Sequence, residues 1–216
     1  MGVKFMNLPN KLTIFRIILV PVMVIVSYLN INASFLGIPA ISWILTFIFI
    51  IASYTDHLDG KLARKNNQIT TFGKFADPLA DKILVLSAML ILVEHGKIPA
   101  WIPIIVLIRE FVVSGYRLIA VEKGGKVIAA NIWGKIKTFT QMIGISLMFL
   151  SNEAYFNFIF RTNSQQEMIV SSAKVYMTTG QFIINMLASI IITVSVIATI
   201  FSGWTYLKDG KDLFKD

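Results

Sequence analysis

Six runs of apolar residues alternate with short polar stretches along the 216-residue chain, at about 12–29, 39–62, 75–94, 99–121, 133–151 and 181–207. A helix needs about 20 residues to cross a hydrocarbon layer of roughly 30 Å, and each run is near that length. The pattern predicts an all-α integral membrane protein, a six-transmembrane-helix bundle. Because the connections are short, the expectation is one membrane domain over residues 1–216, with no separate soluble domain. The longest link, 152–180, mixes the aromatic patch YFNFIF with polar residues and has room for an interfacial helix.

Ahead of the first span, NLPNKLTIFR sets turn-forming Pro9 and Asn10 before Leu12, Ile14 and Phe15. This predicts a short N-terminal interfacial helix, with Asn10, Thr13 and Arg16 facing the cytoplasmic headgroups. A basic start followed by an apolar run is also the outline of a signal peptide. Arg16 interrupts the run, however, and no small-residue cleavage site follows, so an uncleaved first span is expected.

The basic residues set the orientation. With a cytoplasmic N-terminus, that side receives Lys4, Lys11 and Arg16; Lys61, Arg64, Lys65 and Lys74; Arg117, Lys123, Lys126, Lys135 and Lys137; and Lys208, Lys211 and Lys215. Only Lys97, Arg161 and Lys174 fall opposite, while Lys82 and Arg109 stay within spans. The excess of positive charge inside predicts that both termini are cytoplasmic, in the cell membrane.

Composition narrows the chemistry. A chain that is 56% hydrophobic, with mean hydropathy +0.71, is too apolar for an ordinary water-facing domain. It has no cysteine, which excludes disulfides, thiolate zinc sites and thiol catalysis. The net charge of +8 is scattered among apolar runs and does not form one patch with interleaved aromatics. The expected partners are therefore anionic membrane lipids and not nucleic acid.

Against this background, TDHLDGKLARKNNQITTFGKFADPLAD, residues 55–81, holds Asp56, Asp59, Asp77 and Asp81. The other three aspartates, Asp209, Asp212 and Asp216, lie in the terminal tail. Asp56 and Asp59 are three apart and Asp77 and Asp81 four apart, so each pair shares a helical face. The polar RKNNQITT between them lets the second and third spans form an antiparallel hairpin, with small residues permitting close approach. Four carboxylates at one depth repel one another and resist desolvation, so a cation must balance them. Hard oxygen donors favour magnesium, manganese or calcium, and magnesium leaves positions open for phosphate oxygens. The alternative is a solvated helix end with ordinary ion pairs to Lys61, Arg64, Lys74 and Lys82. His57 and His95 are read as packing and loop residues.

The residues Asp56, Asp59, Gly60, Ala63, Arg64, Gly73, Asp77 and Asp81 spell DxxDGxxAR, eight residues, GxxxDxxxD. In this the chain resembles the CDP-alcohol phosphatidyltransferase family. The resemblance implies six transmembrane helices, a homodimer, and a site for two divalent ions, Mg2+ or Mn2+, held by Asp56, Asp59, Asp77 and Asp81. It further implies that Asp81 is the catalytic base on the acceptor hydroxyl. Gly60, Ala63, Arg64 and Gly73 would border the cytidine diphosphate, with Arg64 on the phosphates.

The signature leaves the acceptor alcohol open. Arg109 sits within the apolar run IPIIVLIREFVVSGYRLIA, Arg117 lies eight residues on, and Lys135 and Lys137 open the fifth span in WGKIKTFTQM. An arginine inside a membrane helix is a functional candidate. Pairing with neighbouring Glu110 is the alternative, disfavoured because adjacent helical positions face different ways. Arg109, Arg117, Lys135 and Lys137 are expected to bind an acceptor that carries its own phosphate. Segments including NLPNKLTIFRIILVP, ASYTDHLDG, IREFVVSGYR and GKIKTFTQM resemble the branch of the family that uses CDP-diacylglycerol and glycerol 3-phosphate and releases CMP. Competing expectations are a sister enzyme acting on serine or inositol phosphate, and a cation transporter whose aspartates bind the transported ion.

Overall fold

The computed structural model describes residues 8–65, 71–122, 132–156 and 179–209. Among them the chain forms six helices: α1 (Leu8–Ser27), α2 (Ala40–Lys65), α3 (Thr71–Glu94), α4 (Trp101–Glu122), α5 (Ile132–Leu150) and α6 (Thr179–Asp209). Every predicted apolar run became one of these helices, with bounds shifted by no more than four residues. The sequence Asn10–Ser27 in α1 and Thr179–Lys208 in α6 is long and apolar enough to cross a bilayer, and α2 holds a shorter apolar stretch, Ala40–Asp56. Helices α3 and α4 interrupt their apolar sequence with Asp77, Asp81 and Lys82, and with Arg109, Glu110 and Arg117.

The chain divides into two compact units, Met1–Glu94 and His95–Asp216. In the first, α1 packs against both α2 and α3. Between α1 and α2 a small antiparallel ladder pairs β1 (Ser34–Phe35) with β2 (Ile38–Pro39), Ser34 opposite Pro39 and Phe35 opposite Ile38. Its two loop residues, Leu36 and Gly37, both take positive φ, 54° and 73°, the backbone a two-residue hairpin turn requires. The Trp43 indole N–H donates to the Phe35 carbonyl and ties the ladder to α2. At the far end of α1, the Tyr28 hydroxyl reaches Glu94 at 2.7 Å. Met23, Phe49, Ala52, Leu84 and Ala88 are fully buried and form the core between these helices.

The start of α1 departs from expectation. Leu8 to Ser27 is one continuous helix, so NLPNKLTIFR supplies its first turns and no separate interfacial helix exists among the described residues. Asn10, Thr13 and Arg16, expected to face headgroups, are buried instead. They recur at every third position and so lie on one stripe, which α1 turns toward its two partner helices.

In the second unit α6 packs along α5 and also touches α4. Gly144 makes the close approach possible: a Cβ there would lie 2.7 Å from Ile192 Cγ1 and 3.3 Å from the Ile192 backbone nitrogen. The buried side of α6 carries Asn185, Ser189, Ser195, Thr199 and Ser202, while Phe182, Leu187, Ile190, Val194, Ile197 and Phe201 are exposed. Small polar residues inside and large apolar ones outside are what a helix in hydrocarbon requires, where association depends on close packing and interhelical hydrogen bonds. Asn185 Nδ2 donates to Ser151 Oγ and to the Glu153 and Ala154 carbonyls, fixing the chain that leaves α5. The interfacial helix expected in the long link falls largely on residues 157–178, which lie outside the described residues.

Candidate active site

Three helices of the first unit bring Asp56 and Asp77 together. Asp56 lies on α2, and Asp77 and Asp81, four residues apart, lie on α3. The helix that links them is α1. Arg16 Nη1 lies 2.8 Å from Asp56 Oδ1, and Thr13 Oγ1 donates to Asp77 Oδ1 at 2.5 Å. Thr13 and Arg16 are three residues apart, hence about 5–6 Å between their Cβ atoms on one face. Two carboxylates from different helices therefore converge on one turn of α1.

Burial separates the partners from the carboxylates. Thr13 and Arg16 have no exposed surface, whereas the Asp56 side chain is 32% exposed. Asp77 and Asp81 are likewise half-buried, and Gly73, one turn before Asp77, is buried. Asp56 and Asp77 are thus partly accessible while their partners Arg16 and Thr13 are fully buried, and Asp81 Oδ1 is itself buried. Asp59, Gly60, Ala63 and Arg64 continue α2 beyond Asp56, and their side chains lie outside the described residues. The same holds for Lys61, Lys65, Lys74 and His57.

Among the described residues no three acidic or histidine side chains gather closely enough to hold a metal ion, and the side chain of Asp59 lies outside them; Asp56 and Asp77 are hard oxygen donors of the type a divalent cation takes. Magnesium and manganese take carboxylate oxygens of this kind. Thr13 and Arg16 give these carboxylates the kind of outer hydrogen bond or ion pair that orients ligands in metal sites.

The second unit gathers the predicted basic residues only in part. Arg109 Nη1 lies 2.9 Å from Glu110 Oε1, and Lys137 Nζ from α5 contacts the same oxygen. The pairing disfavoured from the sequence is therefore present. Adjacent Cβ directions differ by about 100°, yet the long guanidinium stem curves around the helix and spans that gap. Arg109 Nη2 also donates to Ser202 Oγ at 2.6 Å, and Arg117 Nη2 donates to the Tyr206 hydroxyl at 2.9 Å. Lys135 is exposed, about 200° around α5 from buried Lys137, and does not join them.

Sequence reasoning missed Thr13 and Arg16 as carboxylate partners, and Ser202 and Tyr206 as arginine partners. A signal for the last two was present: Ser195, Thr199, Ser202 and Tyr206 recur at spacings of four, three and four in an otherwise apolar run, which is one helical face.

Comparison with known proteins agrees with the geometry. The sequence profile of the CDP-alcohol phosphatidyltransferase family matches residues 6–207. A protein of Bacillus subtilis (strain 168), named CDP-diacylglycerol--glycerol-3-phosphate 3-phosphatidyltransferase, is 37% identical over 214 residues, 97% of each chain. Proteins of the same name from Haemophilus influenzae and Rickettsia felis are 46% identical over 143 residues (64% of this chain, 73% of the relative) and 31% identical over 210 residues (96% and 97%). The profile runs through both compact units and takes in all four aspartates and the basic residues of α4 and α5, so the chain belongs to the CDP-alcohol phosphatidyltransferase family, a family of transferase enzymes.

Proposed function

We propose that the protein transfers the phosphatidyl group of CDP-diacylglycerol to glycerol 3-phosphate, giving phosphatidylglycerol phosphate and CMP. The observation that carries this reading is the near full-length likeness to the Bacillus subtilis protein, whose name states that donor and acceptor. The convergence of Asp56 and Asp77 on one turn of α1 supports the reading.

Asp56, Asp59, Asp77 and Asp81 would hold the divalent metal, Mg2+ or Mn2+, as two ions. When bound, the metal supplies positive charge that offsets the pyrophosphate and the CMP leaving group. Arg64 adds a guanidinium to the same phosphates, and Gly60, Ala63 and Gly73 leave room for the cytidine diphosphate. Asp81 takes the proton from the acceptor's sn-1 hydroxyl. The resulting oxygen attacks the phosphorus that bears diacylglycerol, and the bond from that phosphorus to the CMP oxygen breaks. Arg109, Arg117 and Lys137 bind the acceptor's own phosphate. Lys135, exposed on the other side of α5, is assigned to the headgroup region instead.

All six helices span the membrane in this reading, both termini face the cytoplasm, and the carboxylates open at that face. The excess of basic residues on one side of the predicted spans supports it. The chain acts as one domain and assembles as a homodimer.

The test is CMP release by purified protein in detergent with magnesium or manganese and CDP-diacylglycerol, supplied in parallel with glycerol 3-phosphate, serine or inositol phosphate. Release that depends on glycerol 3-phosphate is the expected result. Release with serine or inositol phosphate alone would keep the aspartate chemistry and overturn the acceptor. Silence with all three, accompanied by cation flux in proteoliposomes, would overturn the enzymatic reading.

A further inference from the structure

Three cations in the second unit are held in place by groups from two other positions in the fold. Glu110 on α4 receives both Arg109 from its own helix and Lys137 from α5. Tyr206 on α6 receives Arg117 through its hydroxyl at 2.9 Å, and its ring lies 5.9 Å from the Arg109 guanidinium carbon and 5.7 Å from that of Arg117. Arg109 and Arg117 start about 12 Å apart along α4, by eight residues of helical rise. Both guanidinium groups nevertheless converge on one ring. Tyr206 is 2% exposed, so this ring is a fixed floor and not a mobile surface group.

The charge count explains what such an arrangement suits. At the described contacts one carboxylate, Glu110, faces Arg109 and Lys137, and the exposed Arg117 bonds to a neutral hydroxyl, so cations outnumber carboxylates there. A local excess of positive charge attracts an anionic occupant. A phosphate monoester, close to a dianion at neutral pH, matches that charge.

We propose that Glu110 and Tyr206 are positioning residues for the acceptor's phosphate: they hold Arg109, Lys137 and Arg117 in the geometry that receives it, without touching the reacting atoms. This rests on the reading of those three cations as the acceptor-phosphate site. Long basic side chains lose rotamer freedom when they close on a ligand, and Glu110 and Tyr206 remove that freedom before the ligand arrives. Removing them affects capture of the acceptor and leaves the donor and the chemical step alone.

Steady-state kinetics on the full-length protein separate these effects. Glu110→Ala is expected to raise KM for glycerol 3-phosphate about tenfold, the loss typical of a hydrogen bond to a charged group, with kcat and KM for CDP-diacylglycerol within about twofold of wild type. Glu110→Gln, which keeps an acceptor oxygen for both donors, recovers most of that loss. Tyr206→Phe keeps the ring and removes the hydroxyl, and raises acceptor KM about threefold. Should Glu110→Ala fail to fold, Tyr206→Phe decides alone. Unchanged or lowered acceptor KM, or equal damage to donor KM and kcat, overturns the proposal. Arg109→Gln run alongside tells the two readings apart. If it leaves acceptor KM untouched, the phosphate site itself is wrong; if it raises KM while the Glu110 and Tyr206 variants do not, only the positioning role is lost.

Discussion

The Arg16 guanidinium, with no exposed surface, lies 2.8 Å from the one-third-exposed carboxylate of Asp56. An arginine buried among apolar helices is tolerated only with close compensation, because desolvating its charge is expensive. The pair therefore holds Asp56 and compensates the charge of Arg16. One turn earlier Thr13, equally buried, does the same for Asp77 on α3. The polar stripe of α1 thus serves the carboxylates of two other helices, and these carboxylates are where a metal and a pyrophosphate meet in the proposed reaction.

Arg16→Lys keeps the charge and loses the planar fork, and a shorter ammonium cannot hold Asp56 in the same direction. Metal affinity is expected to fall about tenfold, as it does when the outer partners of metal ligands are altered. Manganese binding to the substrate-free protein, followed by electron paramagnetic resonance, checks this without any turnover. Wild-type affinity in the variant would show that Asp56 does not depend on Arg16.

Asp81→Asn retains the size of the side chain and removes its ability to take a proton. CMP release is expected to fall by roughly a hundred- to ten-thousand-fold, the range attributed to a general base. Circular dichroism and elution from a sizing column should match wild type. A variant with normal turnover would remove Asp81 as the base.

The helical plan was legible because each helix announces itself twice, by length and by polar punctuation. The apolar runs at 99–121 and 133–151 became α4 and α5 within two residues at each end. What surrounds a polar residue was less legible. The stripe Asn10, Thr13, Arg16 reads equally as a headgroup-facing edge or as a buried seam, and only the packing of α1 against α2 and α3 decides between them. The Arg109 to Glu110 pair was misjudged because helical geometry specifies where a side chain starts, and a guanidinium ends several ångströms away. Ser202 and Tyr206 were hidden by the strength of the apolar signal around them, although their spacing already marked a face.

Gly144 faces Ile192 so closely that a methyl group there would overlap its side chain at 2.7 Å and press on its backbone nitrogen at 3.3 Å. Gly144→Ala therefore forces α5 and α6 apart, and backbone cannot yield as a flexible side-chain tip can. The expected loss is about 1–3 kcal/mol, typical of overpacking, despite the better helix propensity of alanine. A lowered melting temperature in detergent checks this, and an unchanged or higher one would mean that α6 shifts at no cost.

Lys97, in the loop between α3 and α4, donates to the Phe149 carbonyl at 2.7 Å. Burial disfavours its charged form and lowers its pKa from 10.5 to about 8. The sign of the consequence follows from proton counting. Between about pH 8 and 10.5 the unfolded chain holds a proton at this position that the folded chain has released, so stability rises with pH across that window. Below about pH 8 both states are protonated, and the folded state carries the full desolvation penalty. Lys97→Met removes the charge and keeps most of the apolar stem. It is expected to raise the melting temperature at pH 7 and to flatten its rise between pH 8 and 10, provided the lost hydrogen bond to Phe149 contributes less than the desolvation it offsets. Thermal unfolding of both proteins across that pH range checks the balance: a variant less stable than wild type at pH 7 would mean that the bond to Phe149 outweighs the burial of the charge.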